Sequence, residues 1–120
     1  MDDAFEARLR LDTARARVAS EMAAYALGAS MDTTPMLMRG GSKVSFSRQA
    51  GMYLCQVVFG LSYARVGNAF GRDRTTVSHA CRLVEARRDD PVFEAWIDAL
   101  ESALRETPAP LPSLDPGHGR

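Results

Sequence analysis

The stretch Gly71 to Arg88 reads GRDRTTVSHACRLVEARR and decides the fold. It opens on a short polar turn, Gly71-Arg72-Asp73-Arg74, and continues into a segment with two faces. Val77, Ala80, Cys81 and Val84 recur at i, i+3, i+4 and i+7, the period of a buried helical stripe. Thr75, His79 and Arg82 fall along another side of the same helix, because residues three and four apart are neighbours. Hydrogen-bonding side chains therefore crowd the N-terminal end of a helix whose other face is packed. A helix takes this form when its first turn enters a DNA groove.

The residues before this stretch supply its support. Ser47 can cap a helix from Arg48 to about Phe59 with Ala50, Tyr53, Leu54, Val57 and Val58 as its core stripe. Gly51 inside it costs about 1 kcal/mol relative to Ala, which points to close helix packing. Ser62 caps a short helix, Tyr63 to Phe70, with Val66, Ala69 and Phe70 buried, and Gly71 closes it. Two short helices, a Gly-bearing turn and a polar-fronted second helix make a helix-turn-helix pattern.

Further out, residues 5–28 predict one helix, rich in Ala and Arg and ending at Gly28. It either packs across the bundle or docks a partner; its stripe of Ala19, Met22, Ala23 and Ala26 suits both roles. Asp32, Thr33 and Thr34 before Pro35 predict a short helix through Met38. Arg39 to Lys43 then form a flexible basic loop, which is either a connector or a segment that approaches a phosphate or a minor groove. Asp89-Asp90-Pro91 start a last amphipathic helix to about Arg105, with Phe93, Trp96, Ile97, Leu100 and Leu104 on its apolar face. From Thr107 the Pro- and Gly-rich tail is expected to be disordered.

The chain has 120 residues and a net charge of zero, which conceals an asymmetry. Residues 39–88 hold nine basic and two acidic side chains, a local charge of +7 balanced by −7 elsewhere. A basic middle suits either a polyanion or a solvated face. No apolar run approaches the ~18 residues that span a membrane, and the acidic N-terminus does not resemble a secretory signal. Cys55 and Cys81 lie in apolar helical contexts without metal-type spacing and are expected to be reduced core thiols in a cytoplasmic protein. His79 and Cys81 are two apart and cannot face each other, and Asp89 and Asp90 are read as a helix start, so no enzyme, cofactor or metal is expected.

SRQAGMYLC (47–55) followed by FGLSYARVGNAFGRDRTTVSHACRLVE (59–85) resembles the C-terminal DNA-binding domain of the bacterial replication initiator DnaA. The marks are Arg48-Gln49, then Gly67 to Gly71 with Phe70, then Arg72 to Ala80. The resemblance spans roughly residues 39–104. It implies an all-α fold: a small helical bundle with a DnaA-like helix-turn-helix, to which an N-terminal helix is added. It implies binding of double-stranded DNA, with Arg72, Asp73, Arg74, Thr75 and Thr76 reading bases in the major groove. Asp can accept from cytosine N4, Arg can fork onto guanine, and the Thr methyl can meet the thymine methyl. Arg48, His79 and Arg82 would contact phosphate, and the basic loop would supply Arg39 to a minor groove, with Lys43 nearby. Asp73 is equally an N-cap, and the two roles are compatible.

Departures from the family pattern bound the reading. No Gly-rich loop ending in Lys-Ser or Lys-Thr is present, so a standalone domain without the initiator's ATPase is expected. Arg74 stands where the family usually has His, and a single Gly71 replaces a pair. The expected function is sequence-specific duplex binding by a transcriptional regulator associated with the nucleoid. Similar small proteins include activators of phage-like gene-transfer-agent clusters. The alternatives are a competitor at initiator boxes that restrains replication, and an adaptor that kept only the fold. A second regulator, RNA polymerase or a second copy would dock through the N-terminal helix.

Overall fold

The computed structural model describes residues 3–29 and 43–107. Five helices and no strand lie among them: α1 (Asp3–Ala29), α2 (Lys43–Phe59), α3 (Tyr63–Phe70), α4 (Arg74–Arg87) and α5 (Pro91–Arg105). The described residues are all-α, in keeping with apolar stripes at the helical period. The short helix expected before Met38, the loop residues 39–42 and the tail from residue 108 lie outside the described residues.

Helix α2 sits at the centre and packs against each of the other four. Its core side chains Ala50, Met52, Tyr53, Leu54 and Cys55 are buried on a nearly continuous surface, as expected for a helix with neighbours on several sides. The helix starts at Lys43, four residues earlier than the expected cap at Ser47. Lys43 is therefore the first residue of α2 and no part of a flexible loop. The reason is Phe46. It is 4% exposed and packs on Phe93 and Trp96 of α5, with ring centroids 6.0 Å away in each case. That burial draws residues 43–47 into the helix, and Ser47 becomes a buried helical residue.

Helix α1 packs along α2 and α3 through Ala16, Ala19, Ala23 and Leu27. These mostly small side chains let the backbones come close. A Cβ on Gly51 would stand 3.2 Å from Ser20 Cα and 3.3 Å from Phe70 Cζ, so the helix-propensity penalty at Gly51 is the cost of this crossing. One member of the α1 stripe is not apolar. Asp12, 2% exposed, accepts from Arg65 Nε and Nη2 of α3, both at 2.9 Å. A bidentate pair of this kind fixes direction as well as distance, so it sets how α1 lies against the first helix of the helix-turn-helix.

Candidate nucleic-acid interface

Helices α3 and α4 meet at the turn that the sequence marks out. Ser62 caps α3 by accepting from the Arg65 amide at 3.2 Å. Gly71 ends α3 in the left-handed region, φ 68°, where a side chain is strained. The Arg72 amide then donates to the Gly67 carbonyl at 2.9 Å, folding the chain back over α3. Gly67 makes this possible by lacking a side chain: a Cβ there would lie 2.6 Å from the Arg72 carbonyl oxygen. The polar turn is thus seated directly on the α3 backbone.

Asp73 is the N-cap of α4. Its backbone is extended, and Oδ1 accepts from the Thr76 amide at 2.8 Å. That amide holds the Asp73 carboxyl below the usual carboxylate range, with the Thr76 hydroxyl adding to the effect. The cap's contribution to stability is fully present above the ordinary carboxylate pKa and is lost as pH falls through the depressed value. Asp73 Oδ1 therefore serves the helix start while the rest of the carboxylate faces outward.

Behind this front, Val77, Ala80, Cys81 and Val84 are at most 5% exposed and pin α4 to the core. Arg72, Asp73, Arg74, Thr75, Thr76, His79 and Arg82 are all exposed. The packed stripe of α4 thus leaves the first-turn polar groups facing solvent together. Arg82 does not extend freely, because its Nη1 donates to Ser78 Oγ at 2.8 Å along its own helix. Arg39 lies outside the described residues, and of Lys43 only the backbone is described.

A groove of about 120 Å³ separates the N-terminal halves of α2 and α4. Met52 and Ala80, both nearly fully buried, floor it, while Ser45, Arg48, Gln49, Arg72, Thr76 and His79 line the rest. Two guanidinium groups, an imidazole, an amide and two hydroxyls thus surround one opening beside the exposed first turn of α4. This is a donor set for an anionic oxygen. Arg48, Arg72, Thr76 and His79 were expected at the interface. Ser45 joins them because α2 begins early, which the apparent cap at Ser47 concealed, and Gln49 joins as the neighbour of Arg48.

The basic excess of residues 39–88 is only partly available to a ligand. Arg65 is held by Asp12, and Arg88 by Glu94 and Glu101. Arg87 lies over the Phe46 ring at 4.9 Å. An acid on the α1 apolar stripe, at Asp12, was the sequence signal that a cation elsewhere would be used internally. Cys55 and Cys81 are free and buried, and burial pushes their thiols up to about 12 and about 11. Such thiols stay protonated and unreactive near neutral pH. Among the described residues no group of three or more His, Cys, Asp or Glu is gathered for a metal, and no helix is long and apolar enough to cross a membrane.

Residues 38–84 match the family model described as the bacterial dnaA protein helix-turn-helix. Over these residues the chain is similar to a DnaA-type helix-turn-helix. The chromosomal replication initiator protein DnaA of Lachnoclostridium phytofermentans is 39% identical over 67 residues, which cover 54% of this chain and 15% of that protein. The DnaA of Treponema denticola is 39% identical over 64 residues, 52% of this chain and 14% of that protein. The chain thus spans about one seventh of the length of these curated relatives. No solved structure shows a significant match. The matched segment contains the seated turn, α4 through Val84, and the α2 face of the groove.

Proposed function

We propose that this chain binds double-stranded DNA sequence-specifically and regulates transcription. The observation that carries the reading is the seated turn. Arg72 to Thr76 project from a rigid, Gly67-packed mount, next to a cationic groove able to take a backbone phosphate. Recognition of duplex DNA needs both parts, since phosphate contacts set register and base contacts set sequence. Arg72, Asp73, Arg74, Thr75 and Thr76 are assigned to bases. Arg48, His79 and Arg82 are assigned to phosphates, with Arg39 and Lys43 at the flanking groove. Regulation is assigned to the same unit, with α1 as the surface for a second regulator or RNA polymerase.

A salt titration tests the first claim. The logarithm of affinity should fall linearly with the logarithm of salt concentration, with a slope of about −0.9 per phosphate contact. Absence of duplex binding even at low salt would remove the DNA-binding reading and leave the adaptor. At the cognate site, Arg74→Ala and Thr75→Ala should each cost roughly 1–3 kcal/mol and relax one base position. Unchanged site preference in both variants would mean that other residues read the bases.

The relatives are replication initiators by name, and this favours a second reading: occupancy of initiator boxes, restraining replication. Genome-wide mapping of bound sites separates the two. Promoter-centred sites support regulation of transcription, and sites clustered at an origin support the competitor.

A further inference from the structure

A reading helix needs more than a seated first turn. Helix α4 has 14 residues and is therefore about 21 Å long, so its heading is defined only if its far end is also held. A change in heading that moves the far end by about 1 Å displaces the reading turn by a comparable distance. Displacements on that scale are enough to spoil a near-contact geometry.

Beyond the packing of Val84 and the Arg87–Phe46 contact, the far end of α4 is tied down by a hydrogen-bonded side chain. Arg88, the C-cap of α4, directs its guanidinium away from solvent, with a side-chain exposure of 20%. Its Nε and Nη2 donate to the two carboxylate oxygens of Glu94 at 2.6 and 3.0 Å. Its Nη1 donates to Glu101, itself 8% exposed, and to the Tyr53 hydroxyl at 2.7 Å. Burial pushes the Tyr53 hydroxyl up from its ordinary range, so it remains a neutral phenol whose oxygen can accept from Arg88. Glu94 and Glu101 belong to α5, and Tyr53 belongs to α2.

The placement of Tyr53 gives this node its meaning. It is adjacent to Met52, which floors the groove opposite Ala80, and it lies one helical turn beyond Gln49 on the groove wall. Ala80 and Arg88 are eight residues apart on α4, about 12 Å. The same turn of α2 therefore shares the groove lining with α4 at Ala80 and is bonded to its end at Arg88, two well-separated points. Two such points fix a direction, where one would leave a pivot.

We propose that Arg88 and Tyr53 are positioning residues for base reading: together they set the heading of α4 relative to the phosphate-facing wall of α2, with α5 as a backstop. This rests on the DNA-binding reading above. It separates two quantities that a merely stabilising node would move together. Phosphate contacts tolerate a small rotation of α4, whereas base contacts do not.

The experiment uses the whole chain. A preferred duplex is first recovered from a random-sequence library, and binding is then measured to it and to a scrambled duplex of equal length. Tyr53→Phe removes one hydroxyl and keeps the core volume. The expected result is a roughly 3- to 10-fold loss of discrimination, the scale typical of mutations that act through a coupled network, with binding to the scrambled duplex unchanged. Glu94→Gln, which loosens Arg88 from the α5 side at a half-exposed position, should act in the same direction. It serves as the second variant if Tyr53→Phe is unfolded at the assay temperature. Full discrimination in a folded variant, even with a lowered melting temperature, overturns the proposal. So does an equal loss on both duplexes. If the parent chain itself prefers no sequence, the DNA-reading assignment fails first and takes this inference with it.

Discussion

Gly67→Ala is expected to weaken binding to the cognate duplex by roughly 1–3 kcal/mol, the value of a well-made base contact. The added Cβ would stand 2.6 Å from the Arg72 carbonyl oxygen and 3.4 Å from the Asp73 carbonyl carbon. Both are main-chain atoms, so no rotamer change can relieve the contact. The turn must lift off α3, and it carries Arg72 and Asp73 with it. The fold should also lose about 1–3 kcal/mol, as is usual for overpacking. Gly71→Ala is the informative contrast. A Cβ on Gly71 meets nothing within 4 Å, and its penalty is the left-handed backbone alone, about 1–2 kcal/mol. Calorimetric titration and urea denaturation of both variants distinguish a displaced turn from a merely strained one. If Gly67→Ala binds the cognate duplex like the parent, the turn is not seated by this contact.

Arg65→Ala should be among the most destabilising single changes, at about 3 kcal/mol, because it leaves the Asp12 carboxylate buried and unpaired. In a domain of this size that corresponds to a fall in melting temperature of roughly 15 °C. The loss lies at the low end for a broken buried pair because the Arg65 side chain is one-third exposed. The same asymmetry predicts a smaller loss for Asp12→Ala, since the freed guanidinium can reach water. Replacing both partners by apolar residues, Asp12→Leu with Arg65→Met, should recover most of the stability. Urea melts of the three variants test this ordering. Losses below about 0.5 kcal/mol in each single variant would place the pair among ordinary surface ion pairs.

These two variants also show where sequence patterns carry structural information and where they stop. The α4 stripe was legible because Val77, Ala80, Cys81 and Val84 repeat with the helical period, and periodicity is a local property. The caps at Ser62 and Asp73, and the helix start at Asp89-Asp90-Pro91, were legible for the same reason: the bonds made there span two or three residues. Ser47 misled because a good capping residue is only a local option. A buried Phe46 ring, packed on α5 nearly 50 residues later, outweighed it. The charge count misled in a similar way. Arg65 and Arg88 contribute to the basic middle, yet their partners are Asp12, Glu94 and Glu101, and nothing in the count shows which cations are already taken.

The stretch from Gly71 to Arg88 therefore determined by itself that an amphipathic helix begins at a polar turn, because capping and helical periodicity are written within a few residues. The capping residues and apolar stripes before it determined the order of the supporting helices for the same reason. Only the tertiary structure decided that Gly67 carries the turn, that Ser45 and Gln49 share a groove with Arg72 and His79, and that Arg88 ties α4 to two other helices. Those arrangements depend on how closely backbones approach and which distant charges meet. Both are set by packing in three dimensions rather than by neighbours along the chain.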